Sequence, residues 1–451
     1  MEEIHIQIED SSPSIEHTLR PITYTSWLMG VGVAHPRKCH KSVTIILRIV
    51  YLVLCCIIMK SDMTNFFTFG SAVAIKGDIF ELMCLINLMI IYVSTYYYIY
   101  QGIRQYGKWP ELMDRIKELD EKIRMETFMN DRPVKNVEAL AILTTFAWCT
   151  LTLIVHVLYY YFTNPNLIFE TDLMYYFMST QSLINSFVFD ILVYVVYYRF
   201  QTINKLIGQL NELSNTPWVA YKIRRIREMH NGICDLVIMI SDIHGFYLLF
   251  CSVNCLTMVI STLINIYIAI VEKNSTFILS TNGFTILYTT QFGLMCWICT
   301  LARREFEKTG IIIYAILLHS KPGHLDKLNG TRNQSNLDVR TPLEGPDSEQ
   351  NSNWSSGNSL NNVIIEHLLR KNLVRDCVRN EINDFLIQLQ HRRVVFTVCD
   401  YFEMGNALFC GFIGVIFAYL VIFIQFYQRP GNKNERLWNI ANDTHSDVSE
   451  L

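Results

Sequence analysis

The residues able to do chemistry are scattered along this chain rather than gathered. Of thirteen cysteines, nine (Cys55, Cys56, Cys84, Cys149, Cys251, Cys255, Cys296, Cys299 and Cys410) sit inside apolar runs, where a free thiol is the ordinary state. The twelve histidines share no metal-ligand spacing with them. No nucleophile elbow and no Gly-rich phosphate loop is present. The chain therefore reads as neither an enzyme nor a holder of a metal or cofactor. The polar groups that need an account are those stranded in oily sequence: Arg48, Asp190 and Gln425. Arg48 and Asp190 lie toward the same end of their runs and are expected to pair, the common fate of intramembrane charge. An amide such as Gln425 must face protein or water, because a lipid-facing one is costly.

The elements that carry these residues are membrane helices. Hydrophobic residues make up 51% of the 451 and charged residues 18%, against roughly 25% charged in an average soluble domain. A net charge of −3 without patterning gives no footing for nucleic acid. A disulfide framework would need a small secreted chain. A span needs about 20 mostly apolar residues, and seven stretches qualify: 42–59, 78–101, 137–161, 173–199, 237–271, 277–302 and 404–427. The first follows a polar leader of 41 residues and is no cleavable signal. The fifth is too long for one span, so its beginning, with Asp242 and His244, is expected below the membrane as a helical extension. The expectation is an all-α, seven-transmembrane helical protein.

Lys and Arg outside the spans, together with Arg199 at the very end of span four, number 31 on the side of the N-terminus, and those on the other side number 6. That excess places the N-terminus in the cytoplasm and, with seven spans, the C-terminus outside. G-protein-coupled receptors run the other way, so a G-protein-coupled chemoreceptor is the second alternative, separated by the side of the membrane on which an N-terminal epitope is found. No span contains proline, no Asp-Arg-Tyr closes span three, no Asn-Pro-x-x-Tyr lies in span seven, and no external loop carries cysteine. A transporter would show paired broken helices in two halves, and nothing here repeats. The organisation is then a cytoplasmic segment 1–41, a six-span bundle 42–302, a cytoplasmic region 303–403, span seven at 404–427 and an external tail 428–451. Within 303–403, residues 320–362 hold eight Asn, seven Ser, four Gly and three Pro and read as a disordered insertion. After it, Leu369, Leu373, Val378, Ile382, Phe385, Leu386 and Leu389 recur at helical steps, predicting an amphipathic helix over 366–390. Its stripe must pack on the protein's own cytoplasmic helices, on a neighbouring subunit, or on both.

Span seven is unlike the rest. Ala407-x-x-x-Gly411 and Gly414-x-x-x-Ala418 permit close helix approach. The string AYLVIFIQF over 418–426 resembles the Thr-Tyr-(five hydrophobic)-Gln-Phe signature that closes the last span of insect gustatory receptors. The stretches VVFTVCDYFEMGNALF and CTLARREFEKTG are similar to members of that family, with Ala418 standing where it usually has Thr. The resemblance implies a tastant-gated cation channel of the plasma membrane, built from four subunits around their last helices. Its partners would be the lipid bilayer, a small-molecule tastant, and copies of itself or other gustatory receptor subunits. Ala418, Tyr419, Val421, Ile422, Gln425 and Phe426 would form the pore and gate, with apolar rings closing it by dewetting and Gln425 hydrating a passing cation. No carboxylate ring is visible in span seven, which points to weak discrimination among cations.

The family binds ligands among spans two to six, in a pocket opening outward. The outer halves of the spans offer His156, Tyr159, Tyr160, Tyr175, Tyr176, Gln181, Asn185, Tyr288, Thr289 and Gln291. His156, Tyr159, Gln181, Asn185, Tyr288 and Gln291 are the candidate contacts, aromatic walls with a few convergent polar groups. The main sugar-receptor branch carries Glu after the motif's Tyr. Leu420 at that position directs the expectation to a bitter or other plant-derived compound, with fructose the alternative.

Overall fold

Every proline inside the described helices stands in a first turn: Pro21, Pro110, Pro133 and Pro217. There its missing N–H costs nothing and its fixed φ suits the start of a helix. The long apolar runs downstream are free of proline and continue as uninterrupted helix. The computed structural model describes residues 15–70, 78–163, 173–210, 217–271, 278–319, 373 and 376–427. Two short helices, α1 (Ile15–Thr18) and α2 (Arg20–Leu28), precede α3 (Lys41–Gly70) and α4 (Asp78–Arg104). Then come α5 (Lys108–Arg124), α6 (Arg132–Thr163), α7 (Leu173–Leu210), α8 (Pro217–Val271) and α9 (Ile278–His319). The described chain closes with α10 (376–391), a hairpin of β1 (Thr397–Val398) and β2 (Phe402–Glu403), and α11 (Asn406–Tyr427).

The chain is a multi-pass membrane protein, nearly all helical. Six helices among the described residues are long and apolar enough to cross a membrane: α3, α6, α7, α8, α9 and α11. The remaining expected span, 78–101, coincides with α4, whose C-terminal half carries Tyr92, Tyr96, Tyr97, Tyr98 and Tyr100. Two of the helices are longer than a bilayer core requires. At 1.5 Å per residue, the 55 residues of α8 reach about 82 Å and the 42 of α9 about 63 Å, against a hydrocarbon core of about 30 Å. Asp242 is exposed on α8.

The chain divides into two compact units, and α7, α8 and α9 contribute to both. One comprises Arg199–Cys234 and Arg304–Val394. Its core holds His230, fully buried, with the rings of Phe200, Phe306 and Phe385 at 5.2, 5.3 and 5.3 Å. Ile382 and Phe385 of α10 are buried here, and Arg227 pairs with Glu381 at 3.3 Å and Asp384 at 3.0 Å. Part of the amphipathic stripe thus packs on the protein's own helices, while Leu373 is exposed and Leu369 lies outside the described residues. The insertion at 320–362 lies outside the described residues.

The other unit comprises Met1–Tyr198, Asp235–Arg303 and Val395–Leu451. Its N-terminal segment is built into the bundle. After α2 the chain forms an irregular loop whose Val31, Val33 and Ala34 are almost fully buried. Non-helical backbone among apolar helices needs partners for each carbonyl, and side chains supply them. Tyr51 donates to Leu28 O at 2.7 Å, Gln181 to Met29 O at 2.7 Å and Ser26 to Val31 O at 2.9 Å. Arg48 donates to Gly32 O. Tyr51 stands ten residues, about 15 Å, along α3. The expected pair of Arg48 with Asp190 is therefore corrected. Arg48 serves the loop carbonyl, and neither carboxylate oxygen of Asp190 meets a hydrogen-bonding partner. Gly30 and Gly32 have φ of +72° and +66°, a conformation that favours glycine.

Candidate functional site

Two features of the bundle bear on function: a buried polar network between helices and the uncovered face of α11. The network begins with three serines on α7. Ser179, Ser182 and Ser186 recur at three- and four-residue steps, so they share one face. That face meets α8 and α9. Tyr247 of α8 donates to Ser186 Oγ at 2.7 Å, and Gln291 of α9 donates to the same oxygen. Both also approach the backbone carbonyl of Ser182, at 3.4 and 3.3 Å. Ser179 Oγ lies 3.2 Å from Tyr288 Oη. Cys255 Sγ donates to the carbonyl of Tyr288 at 3.2 Å. From α4, the Tyr98 ring packs edge-on against Tyr247 at 5.0 Å. All of these side chains are buried, and Gln291 Oε1 is left without a hydrogen-bonding partner.

The candidate contacts thus fall into three sets. Tyr288 and Gln291 are brought together on the serine face of α7. Gln181 and Asn185 each precede a serine by one residue, a rotation of about 100°, and both turn instead to the N-terminal loop. Gln181 holds Met29 O, and a Cβ on Gly32 would meet the Asn185 side chain. His156 and Tyr159 lie on α6, with side chains outside the described residues, as are those of Tyr160 and Tyr175. The serine repeat and Tyr247 were the readable signal that the sequence reasoning passed over. Small hydroxyls at helical spacing inside an apolar run mark an interhelical contact.

A Ser186→Ala protein should lose the shared acceptor of two buried donors, at a cost of about 1–2 kcal/mol. Its thermal midpoint in detergent should fall by a few degrees. Ser182→Ala should leave the midpoint nearly unchanged, because Ser182 accepts these bonds through its backbone carbonyl.

The second feature begins with the hairpin. The turn between β1 and β2 puts Cys399 and Asp400 at φ of 48° and 60°. That is the conformation of a tight hairpin turn, reached here without glycine or asparagine. Gly245 of α8 permits it to pack: a Cβ there would lie 3.1 Å from the Cys399 nitrogen. Arg303 pairs with Glu403 at 3.2 Å, and Thr300 Oγ1 accepts from the Asn406 N–H at 3.0 Å at the start of α11. The hairpin and α9 together fix where α11 begins.

One face of α11 packs within the bundle. Phe412 and Ile416 are buried, Phe412 lies 4.8 Å from the Phe292 ring and Phe409 6.2 Å from it, and Phe423 meets Tyr267 at 6.2 Å. The opposite face is uncovered: Ala407, Gly411, Gly414, Ala418, Val421 and Gln425 are all exposed. At 3.6 residues per turn these six lie within about one third of the helix circumference. Tyr419 and Ile422 are exposed beside them. The Phe426 side chain lies outside the described residues. Other exposed helix faces differ in kind, since α6 shows Leu140, Leu143, Phe146, Leu151 and Ile154.

A family model of 7tm chemosensory receptors matches residues 19–326 and 364–429, most of the chain. This protein belongs to the 7tm chemosensory receptor family. It is a receptor and not an enzyme. Among solved structures the receptor is similar to the insect olfactory receptor OR5 from Machilis hrabei. In complex with eugenol, that structure aligns at a TM-score of 0.57 and 10% identity, over 91% of this chain and 98% of that one. The structure of the same protein titled without eugenol gives 0.56 and 11%, over the same shares. At this identity the likeness shows the fold. No curated protein matches the receptor significantly.

Proposed function

We propose that this chemoreceptor is a gustatory receptor of the plasma membrane, a non-selective cation channel opened by a small-molecule tastant. The cytoplasmic N-terminus follows from the charge count. Four copies, or copies with other gustatory receptor subunits, surround an axis lined by α11.

The observation that carries this reading is the contrast between two uncovered helix faces. The face of α6 is mostly large and branched, as a lipid-facing surface should be, with Thr144, Ala147 and Thr150 exposed among the larger residues. That of α11 is made of Ala and Gly up to Ala418, then Val421, then an amide. In lipid, small residues are used where helices approach closely, and an exposed Gln425 needs water or protein. A shared, wet axis supplies both. The Machilis receptor, described in complex with eugenol, supports a small-molecule agonist. The polar network offers it aromatic walls and hydroxyls between α4, α7, α8 and α9. A bitter or plant-derived agonist accords with Leu420.

The test is expression in a heterologous cell with a panel of bitter compounds and sugars, fructose included, read as whole-cell current. Tyr288→Phe and Gln291→Leu should shift the agonist dose–response by roughly tenfold, the scale of one lost hydrogen bond of about 1.4 kcal/mol. Basal current should be unchanged. Surface-expressed receptor that passes no current to any agonist, beside a working control receptor, would oppose the channel reading.

A further inference from the structure

We infer that the N-terminal segment and α5 form a binding site for a phosphate-bearing anion, separate from the tastant network and from the α11 axis. A cleft of about 330 Å³ opens between α1, α2, the loop 35–38 and α5. Four basic side chains line it, Arg20, Arg37, Lys38 and Lys117, against a single carboxylate, Glu16.

Among the described residues the charges in the cleft are not balanced. Arg37 lies between Glu16 at 3.1 Å and Asp114 at 2.6 Å, so one arginine occupies both nearby acids. Among the described residues Lys117 has only an exposed contact with Glu121 at 3.9 Å along its own helix, a geometry that contributes little. Arg20 has the Tyr24 ring at 5.3 Å and no carboxylate partner among the described residues, and Lys38 likewise has none. Three exposed cations therefore converge on one concave surface. A protein does not hold like charges together without cost, and an anion relieves it.

The walls are firm. Trp109 and Met113 are buried, and His35, also buried, stacks on Tyr106 at 4.0 Å and bonds Val33 O at 3.0 Å. The volume suits a headgroup rather than a lipid tail. Lys38 stands three residues before α3 begins, at the end of a membrane span. Phosphates carried by a lipid of that leaflet and phosphates free in solution would both fit. The shared chemistry is a cluster of phosphate oxygens on a compact polar ring, such as a phosphorylated inositol. The reading of α11 does not enter, and the charge-based orientation enters only in naming the leaflet as cytoplasmic.

The experiment is native mass spectrometry of the full-length receptor in mild detergent. The probes are a short-chain phosphatidylinositol bisphosphate, phosphatidylcholine as a neutral control, and soluble inositol trisphosphate. The intact receptor should retain the bisphosphate lipid and not phosphatidylcholine. The Arg20→Ala/Lys38→Ala/Lys117→Ala variant should bind the probe about a hundredfold more weakly, at roughly fivefold per charge near a membrane surface. Lys122→Ala, whose ammonium already pairs with Glu118 at 2.8 Å, should bind as the parent does. Retention of the soluble headgroup as well as the lipid supports the site with a free phosphate as its source. Retention of the lipid alone supports it with the bilayer as source. All three substitutions are at exposed positions, and an unchanged thermal midpoint confirms the fold. No retention of either phosphate probe, or equal retention by the triple variant, overturns the proposal.

Discussion

A Gly102→Ala receptor is expected to be almost absent from the cell surface. A Cβ on Gly102 of α4 would overlap the guanidinium of Arg48 and press on the Gly32 carbonyl. Neither can retreat easily. Arg48 is 1% exposed and is the donor that holds Gly32 O. Gly32 is in turn fixed by its positive φ and by the Asn185 side chain. Overpacking a dense core costs about 1–3 kcal/mol. Displacing the guanidinium adds the loss of a charge-assisted hydrogen bond, about 1.5–3 kcal/mol. Their sum is a large part of an ordinary domain's stability of about 5–15 kcal/mol. Surface labelling and thermal unfolding of the detergent-purified protein measure it. Gly208→Ala, where a Cβ would meet nothing within 4 Å, is the control and should express normally.

The second large effect is expected in the current rather than the fold. Phe426→Ala should give a receptor that conducts without ligand, because in the proposed four-subunit pore each subunit would lose a bulky apolar group from a dewetted constriction. Gln425→Ala would keep that constriction and remove the exposed amide that, in the proposed pore, would replace ion hydration. Its agonist-evoked current should fall several-fold while surface expression persists. Gln425 is exposed, away from the packed face of α11 that Phe409, Phe412, Ile416 and Phe423 form. Whole-cell recording beside surface labelling separates the two outcomes. Wild-type basal and evoked currents in both variants would remove α11 from the pore.

How much of this was legible can be seen at particular residues. The helices were readable because apolar composition and the confinement of proline to first turns are local properties, and the amphipathic stripe of α10 was readable for the same reason. The small-residue face of α11 needed only the period of a helix. The fate of Arg48 was not readable. Its nearest expected partner was the one opposite charge of similar depth, Asp190. The actual acceptor is a backbone carbonyl of a loop sixteen residues earlier, which carries no signature in side-chain chemistry. The polar leader concealed the same loop, since nothing in residues 28–35 announces a segment whose carbonyls are held by α3 and α7. The hairpin escaped because its turn uses Cys399 and Asp400 at positive φ, where the usual glycine or asparagine is missing. In the polar network, Gln181 and Asn185 drew attention by residue type, whereas Ser179, Ser182 and Ser186 form the face that meets Tyr247, Tyr288 and Gln291. Residue type is visible in a sequence, but azimuth on a helix matters only once its neighbours are known.

The central claim, that the uncovered face of α11 lines a shared aqueous pore, is tested most directly by the chemistry of a cysteine placed on it. A Gln425→Cys receptor should be recorded during agonist application before and after an impermeant, positively charged thiol reagent. Leu143→Cys, exposed on α6, serves as the lipid-facing comparison, and the parent protein controls for native thiols such as exposed Cys410. The account predicts that the reagent abolishes most of the evoked current in Gln425→Cys, with faster block when agonist is present, and leaves the other two unaffected. Full evoked current in Gln425→Cys after the reagent, with the cysteine shown to be labelled, would contradict it.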